Sequence, residues 1–343
     1  MIDFYFSSYC RFMWAGKAIT IATAVASIFF SSPSAQAQPA SKIPTVGFIQ
    51  SSRAPGDRSI QYNAFTAGLR DLGYVEGKDI HIESRFAEGR LDRMPALVKD
   101  LIARKVDVIL APNNVVIQAA KEATKTIPIV MVTTVDPVSA GYVKNFARPG
   151  ENITGLANLS RDLSAKRVEL LKEVLPKLSR IAVLWDGDGP GPAIAMKEYR
   201  EAARAFKLDI RSLDVHGPRP DFGTVLESTR TARAEALIVV GNALMNQHAK
   251  EIFELAINNR LPSMTEEARY VNAGGLISYG ANISDLYRRA AGYVVDILKG
   301  AKPGDLPVRL PEKFEIGVNL KTARQLDIIL PQRVLIQADV VVK

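Results

Sequence analysis

The sequence predicts an α/β protein made of two parallel-sheet halves in series. Short β-branched runs alternate with amphipathic stretches of about 10–14 residues, the length of ordinary globular helices. That alternation stops at ARPGEN (147–152) and then restarts. The 343 residues, 47% hydrophobic and 23% charged, are ordinary globular material, long enough for about two domains.

The first half opens with an apolar run at 43–50. After a polar loop, 59–72 places Phe65, Leu69 and Leu72 on one helical stripe. A strand is expected at 79–87, a helix at 94–104 and a buried strand in VDVILAP (106–112). Asn113 and Asn114 open the next helix, which runs to about residue 124, and 127–134 is a further strand. ITGLANLS follows the break. The second half then reads helix 163–175, strand 180–185, helix 193–206, strand 208–215, helix 222–233, strand 236–240 and helix 244–259. Strand-like 261–265 and 275–279 complete it. A third section holds a helix at 286–298, the Pro-punctuated KPGDLPVRLP and the alternating FEIGVNL. Open α/β sheets bind ligands beyond the carboxyl ends of their strands, so loops from both halves should line a cleft between them.

Those loops read SSRAPGD (51–57), PNN (112–114), TTVDP (133–137), WDGDGPG (185–191), GNALMN (241–246), TEEA (265–268) and SYGAN (278–282). They are rich in hydroxyl, amide and carboxylate groups and poor in nucleophile–base pairs. DGDGPG has the wrong glycine spacing for a dinucleotide fingerprint, and as a calcium loop it fails at Pro190 and Lys197. There is no P-loop and no G-x-S-x-G elbow. One cysteine, Cys10, and three histidines without ligand spacing (His81, His216, His248) exclude a disulfide scaffold and argue against a conventional zinc site. Glu266 and Glu267 face opposite sides of an extended segment, which suits an acid/base pair poorly but leaves either free to face the cleft. Trp185 ends a strand directly before the Gly-rich loop and is the stacking candidate. The net charge of +8 is spread along helices (Lys166/Arg167, Arg200/Arg204, Arg288/Arg289) beside acids. A solvated surface is expected, with no nucleic-acid partner.

Residues 18–30 (AITIATAVASIFF) form an uncharged run between Lys17 and SSPSAQA, the pattern of a secretory signal peptide cleaved after Ala37. The run is shorter than the about 20 residues that span a bilayer. Met13 is an alternative start, and an uncleaved anchor is the alternative reading. Cleavage removes Cys10 and leaves a cysteine-free chain of about 300 residues, large enough to rely on its core in an oxidising compartment.

Several long blocks resemble one family. They are DLGYVEGKDIHIESRFAEGRLDRMPAL (71–97), VDVILAPNN (106–114), IPIVMVTTVDPVSAGYV (127–143), ARPGENITGLANL (147–159), KRVELLKEVLPKLSRIAVLWD (166–186), EEARYVNAGGLISYGANISDLYRRAAGYVVDILKGAKPGDLPV (266–308) and KFEIGVNLKTARQLDIILP (313–331). They are similar to the ABC transporter substrate-binding protein family, in the branch related to tryptophan/tyrosine uptake receptors. The resemblance covers 43–343 and implies a type I periplasmic-binding-protein fold, with two doubly wound parallel-sheet lobes joined by a multi-crossing hinge. The N-lobe would take 43–155 plus 283–310, and the C-lobe 156–282 plus 311–343.

The implied protein is a periplasmic monomer, neither membrane-embedded nor an enzyme, and without a cofactor. It would clamp a small-molecule ligand, amino-acid-like or a small aromatic acid, and deliver it to ABC permease and ATPase subunits. For such a ligand, the helix start at Asn113 and Asn114 suits a carboxylate. Asp136, Asp186 or Glu266 suits an ammonium. Ser51, Ser52, Thr134 and Asn242 would line the rim, Asn158 would touch ligand near the hinge, and Trp185 would stack. TTVDP and NN match the family's cleft positions, whereas GNALMN departs from the Asp-Pro-rich turn expected there. A ligand sensor for a membrane signalling partner, and an exported enzyme on paired Rossmann-like lobes, are the alternatives.

Overall fold

The computed structural model describes residues 42–50, 59–88, 90–159, 163–188, 190–217 and 219–343. The expected leader (1–37), Ser51 and Ser52 lie outside the described residues.

The first lobe is built from β1 (Thr45–Gln50), α1 (Ile60–Asp71), β2 (His81–Phe86), α2 (Met94–Ala103), β3 (Val108–Ala111), α3 (Asn114–Ala123), β4 (Ile129–Thr133) and β5 (Ile153–Ala157). Its parallel sheet runs β2-β1-β3-β4-β5. β3 and β4 are buried along their whole length, as strands covered on both faces must be. β5 keeps Leu156 and Ala157 in this sheet through pairing with Val132 and Thr133, two residues past the expected lobe boundary.

The second lobe follows with α4 (Ser164–Val174), β6 (Arg180–Asp186), α5 (Pro190–Ala205), β7 (Asp209–Val215), α6 (Phe222–Thr231), β8 (Ala236–Val239), α7 (Ala243–Gln247), α8 (Ala249–Asn258), β9 (Ser263–Thr265), α9 (Ala268–Asn272) and β10 (Ile277–Ala281). The chain then returns to the first lobe as α10 (Ile283–Leu298). It crosses back into β11 (Phe314–Asn319), α11 (Leu320–Gln325), α12 (Gln332–Ile336) and β12 (Ala338–Val342). The second sheet runs β12-β11-β10-β9-β8-β6-β7. It is parallel except at β10–β11, because β11 re-enters from the hinge end and so runs against β10.

Each sheet is covered on both faces. In the first lobe Phe48, Leu110 and Val130 pack with Phe65 of α1 and Leu286 of α10, while Ile49, Ile109 and Met131 pack with α2 and α3. In the second, Ile181, Val183 and Ile238 meet α4 and α5, and Leu184, Leu237 and Val239 meet α6 and α8. α10 lies close against α1 because Gly68 has no side chain. A Cβ there would sit 2.4 Å from the Arg288 carbonyl oxygen.

The connections between lobes run side by side. Ala157 N–H donates to Arg309 O at 3.0 Å and Arg309 N–H to Gly155 O at 3.1 Å. The Asn282 N–H donates to Lys313 O at 3.0 Å, its Nδ2 donates to Glu315 Oε2 at 2.6 Å, and its Oδ1 caps α10 through Asp285 N–H. Among the described residues, no helix is long and apolar enough to cross a membrane.

Candidate ligand-binding cleft

Topology locates the cleft before any side chain is considered. The chain leaves the first sheet at the carboxyl end of β5 and the second at the carboxyl end of β10, so both sheets direct their carboxyl ends toward the hinge. Strand order reverses between β1 and β3 in one lobe and between β6 and β8 in the other. Such switch points leave a crevice where the flanking loops diverge.

On the first lobe, the β3–β1 switch point is followed by Pro112 and the start of α3. Asn113 is the N-cap, and its Oδ1 accepts from Val116 N–H at 3.0 Å. The N–H groups of Asn114 and Val115, ahead of the capped one, have no carbonyl within the helix to bond. Asn114 Oδ1 accepts the Thr133 hydroxyl at 2.7 Å, tying the end of β4 to α3. Thr134, next along, is exposed. Tyr287 of α10 donates its hydroxyl to Pro112 O at 3.3 Å, so the returning helix braces the same corner. Asp136 is occupied by its own turn, accepting from Val138 N–H and Ser139 Oγ, each at 2.9 Å. Partial burial pushes its proton affinity up, but these hydrogen bonds outweigh burial and hold it below the usual carboxylate range.

On the second lobe, Asn242 caps α7 with Oδ1 and donates Nδ2 to Asp186 Oδ2 at 2.6 Å, across the β6–β8 switch point. The other oxygen of Asp186 accepts from Asp188 N–H at 3.0 Å. Outside this corner, Asp188 accepts from Gly217 N–H at 2.6 Å and meets His216 Nδ1 at 2.7 Å, while His216 Nε2 lies 3.3 Å from Asp214. Those contacts latch the loops after β6 and β7 together. The hydrogen bond to Asp188, followed by that to Asp214, raises the His216 proton affinity above its ordinary value.

Glu266, the expected cleft carboxylate, turns inward instead. It is 8% exposed, meets Arg167 Nη1 at 3.2 Å, and accepts Gly241 N–H at 3.2 Å. Arg167 is fully buried and also donates Nε to Tyr279 O at 2.8 Å and Nη1 to Tyr199 Oη at 3.3 Å. Burial works against the charged guanidinium, but Tyr199 and Glu266 more than compensate and keep it protonated. Alternation along the segment after β9 puts Glu267 on the other side, where it pairs with Arg269 at 2.6 Å.

Trp185 is likewise separated from Asp186 by strand alternation. Its indole N–H donates to Ser212 Oγ at 2.8 Å and its ring packs on the core beneath α4 and α5. Asn158 is buried at the first crossing, its N–H donating to Thr133 O at 2.6 Å, and its Oδ1 has no hydrogen-bond partner among the described residues. The structure therefore gathers Asp186 with Asn242, and Asn113 with Asn114, at the two switch points.

Sequence reasoning missed Arg167, Arg269 and Tyr287. Arg167 was expected on a solvated helix face, yet it shares the buried stripe of Ser164, Val168, Leu171 and Val174. That spacing of three, four and seven was the available signal. Arg269 and Tyr287 had none: Arg269 lies in a five-residue helix too short to show periodicity, and only the chain's return as α10 brings Tyr287 to Pro112.

Residues 52–342 match the family described as ABC transporter substrate binding protein. The tyrosine-binding protein of Clostridioides difficile (strain R20291) is 28% identical over 264 residues, covering 77% of this chain and 75% of that protein. A conserved domain protein from Vibrio cholerae O1 biovar El Tor has a similar structure, with a TM-score of 0.80 and 26% identity, covering 88% of this chain and 100% of that one. An ABC domain from Streptococcus pneumonia in complex with L-Trp gives a TM-score of 0.78 at 24% identity, covering 87% of this chain and 99% of that chain.

Proposed function

This chain belongs to the ABC transporter substrate-binding protein family, and we propose that it closes on an aromatic amino acid outside the cytoplasm and delivers it to an ABC permease. The observation that carries this reading is Asp186. It is a partly buried carboxylate at the C-lobe switch point, held by neutral donors, with no cation paired to it among the described residues. An ammonium supplies the missing charge. The α3 N-terminus suits the ligand's carboxylate. Relatives named for tyrosine and bound to L-Trp support an aromatic side chain.

Contacts split between lobes exist only when the lobes are together, so ligand shifts the open–closed equilibrium by its differential affinity for the closed form. The closed shape is what a permease reads. No reaction is required of the site, and we assign none. The test is thermal unfolding of the purified protein against a panel of metabolites. L-tyrosine or L-tryptophan should raise the melting temperature, because a ligand that binds only the native state stabilises it. No shift with any amino acid overturns the ligand class, and turnover of a stabilising compound overturns the receptor reading.

A further inference from the structure

We propose that Tyr270 is a positioning residue for the ligand's ammonium: from behind the turn that carries Asn242, it holds that amide where it can orient Asp186. The assignment rests on the amino-acid reading above and goes beyond it by naming what fixes the carboxylate before any ligand arrives.

The turn between β8 and α7 is held from several sides. Asn242 is committed at both ends of its amide, with Nδ2 donating to Asp186 Oδ2 at 2.6 Å and Oδ1 accepting from Met245 N–H at 2.9 Å. A flip of that amide loses both bonds, so the aim of the Asp186 contact follows from where the turn sits. On one side the backbone is pinned by Gly241 N–H, which donates to Glu266 Oε2 at 3.2 Å. On the other, Asn246 N–H donates to Asn242 O at 3.0 Å. Asn246 completes the support, because its Oδ1 accepts the Tyr270 hydroxyl.

Glu266 and Tyr270 lie on either side of the start of α9, and both stand directly behind the turn. A Cβ on Gly241 would sit 3.2 Å from Tyr270 Oη and 3.3 Å from Glu266 Oε2. Tyr270 is 1% exposed and meets Phe253 edge-on, with ring centroids 5.9 Å apart. The ring therefore has a fixed place in the core, and its hydroxyl is the part that reaches the turn. A buried hydroxyl needs an acceptor for its one proton, and this proton goes to α7 rather than to Tyr270's own helix. Glu266 supports the turn from the other end, its second oxygen held by Arg167 Nη1 at 3.2 Å. The route from Tyr270 to Asp186 runs through Asn246 and Asn242, all on the C-lobe. Loosening it should affect the ammonium and spare the carboxylate, which the α3 start of the other lobe suits.

The experiment is calorimetric titration of the full-length protein with L-tyrosine and with desaminotyrosine, which lacks the ammonium. Tyr270→Phe keeps the ring and deletes the hydroxyl, and it should weaken L-tyrosine binding by about fivefold, the worth of one ordinary hydrogen bond. Desaminotyrosine should bind wild type and Tyr270→Phe equally. In an Asp186→Asn background, where the carboxylate is gone, Tyr270→Phe should cost L-tyrosine nothing further. Asn246→Ala breaks the same bond from the turn and should repeat the pattern. Melting of the ligand-free variants checks that each is folded. Unchanged L-tyrosine affinity in both single variants overturns the assignment. Equal losses for the two ligands, or a full loss in the Asp186→Asn background, overturn it too, because they mark a structural role. If wild type binds neither L-tyrosine nor L-tryptophan, the amino-acid reading itself falls, a result distinct from these.

Discussion

The side-chain amide of Asn242 donates to Asp186 across 2.6 Å and bridges the point where strand order in the C-lobe reverses. A neutral donor leaves the carboxylate's charge in place, whereas a lysine or arginine there would cancel it. The pair therefore orients an anion without neutralising it, as the proposed ammonium site requires.

Asp186→Asn tests that availability. The amide oxygen can still accept from one of the two donors, Asp188 N–H or Asn242 Nδ2, and one hydrogen bond at a partly exposed site is lost, so the fold should hold, with a melting temperature within about 4 °C of wild type. Affinity for L-tyrosine should fall by about tenfold or more, since each factor of ten is about 1.4 kcal/mol. Titration calorimetry decides it, and an unchanged dissociation constant removes Asp186 from the site.

Glu266 should behave in the opposite way. Arg167→Met leaves its carboxylate buried without a counter-charge, and breaking a buried pair on one side costs about 3–5 kcal/mol. Arg167→Met combined with Glu266→Gln should recover part of that loss. Urea denaturation of the single and double variants measures the coupling, and additive losses would show that the pair is not energetically joined.

Two glycines on one helix pair offer a controlled comparison. Gly68→Ala forces a methyl onto the Arg288 carbonyl and should cost about 1–3 kcal/mol by prising α1 from α10. Gly292→Ala in α10 meets nothing within 4 Å and should instead stabilise by about 0.5–1 kcal/mol through the helix propensity of alanine. Urea midpoints of the two variants should move in opposite directions.

His216 gives a pH dependence with a defined sign. Asp188 and Asp214 raise its folded-state proton affinity above the unfolded value. The stabilising contribution is therefore complete below the unfolded value and fades as pH rises through the folded one. Urea midpoints of wild type and His216→Gln should differ more at about pH 5 than at about pH 9, and the ring's titration followed by NMR should move down in Asp188→Asn. A ring that titrates at the ordinary histidine value would show that the latch between the loops does not form in solution.

Much of this was legible in the residues. The strands of both lobes follow from β-branched runs, and the loops at Asn113, Asp186 and Asn242 follow from the rule that open sheets bind beyond their strand ends. The short elements α9, α11, α12 and β12 were not read, because five or six residues carry too little periodicity to distinguish helix from loop. β11 was read as an alternating run, but its antiparallel direction is a consequence of the chain's path through the other lobe. The choice between Glu266 and Glu267 was open for a related reason. Alternation says that they face apart, and only Arg167 on a distant helix decides which one turns inward.

The return of α10 sets the order in which this protein can be made. A chain synthesised only as far as Ala157 has every strand of the first sheet but not the helix that covers Phe48, Leu110 and Val130. The closing contacts join residues far apart: Tyr287 to Pro112 at a separation of 175, and Thr154 to Leu306 at 152. Contacts of such separation form slowly, and the apolar face they cover stays open until they do. The lobe that begins the sequence is thus completed only after the second lobe's strands β6 to β10 have emerged, and a nascent chain stalled between them would present a sticky, unfinished sheet.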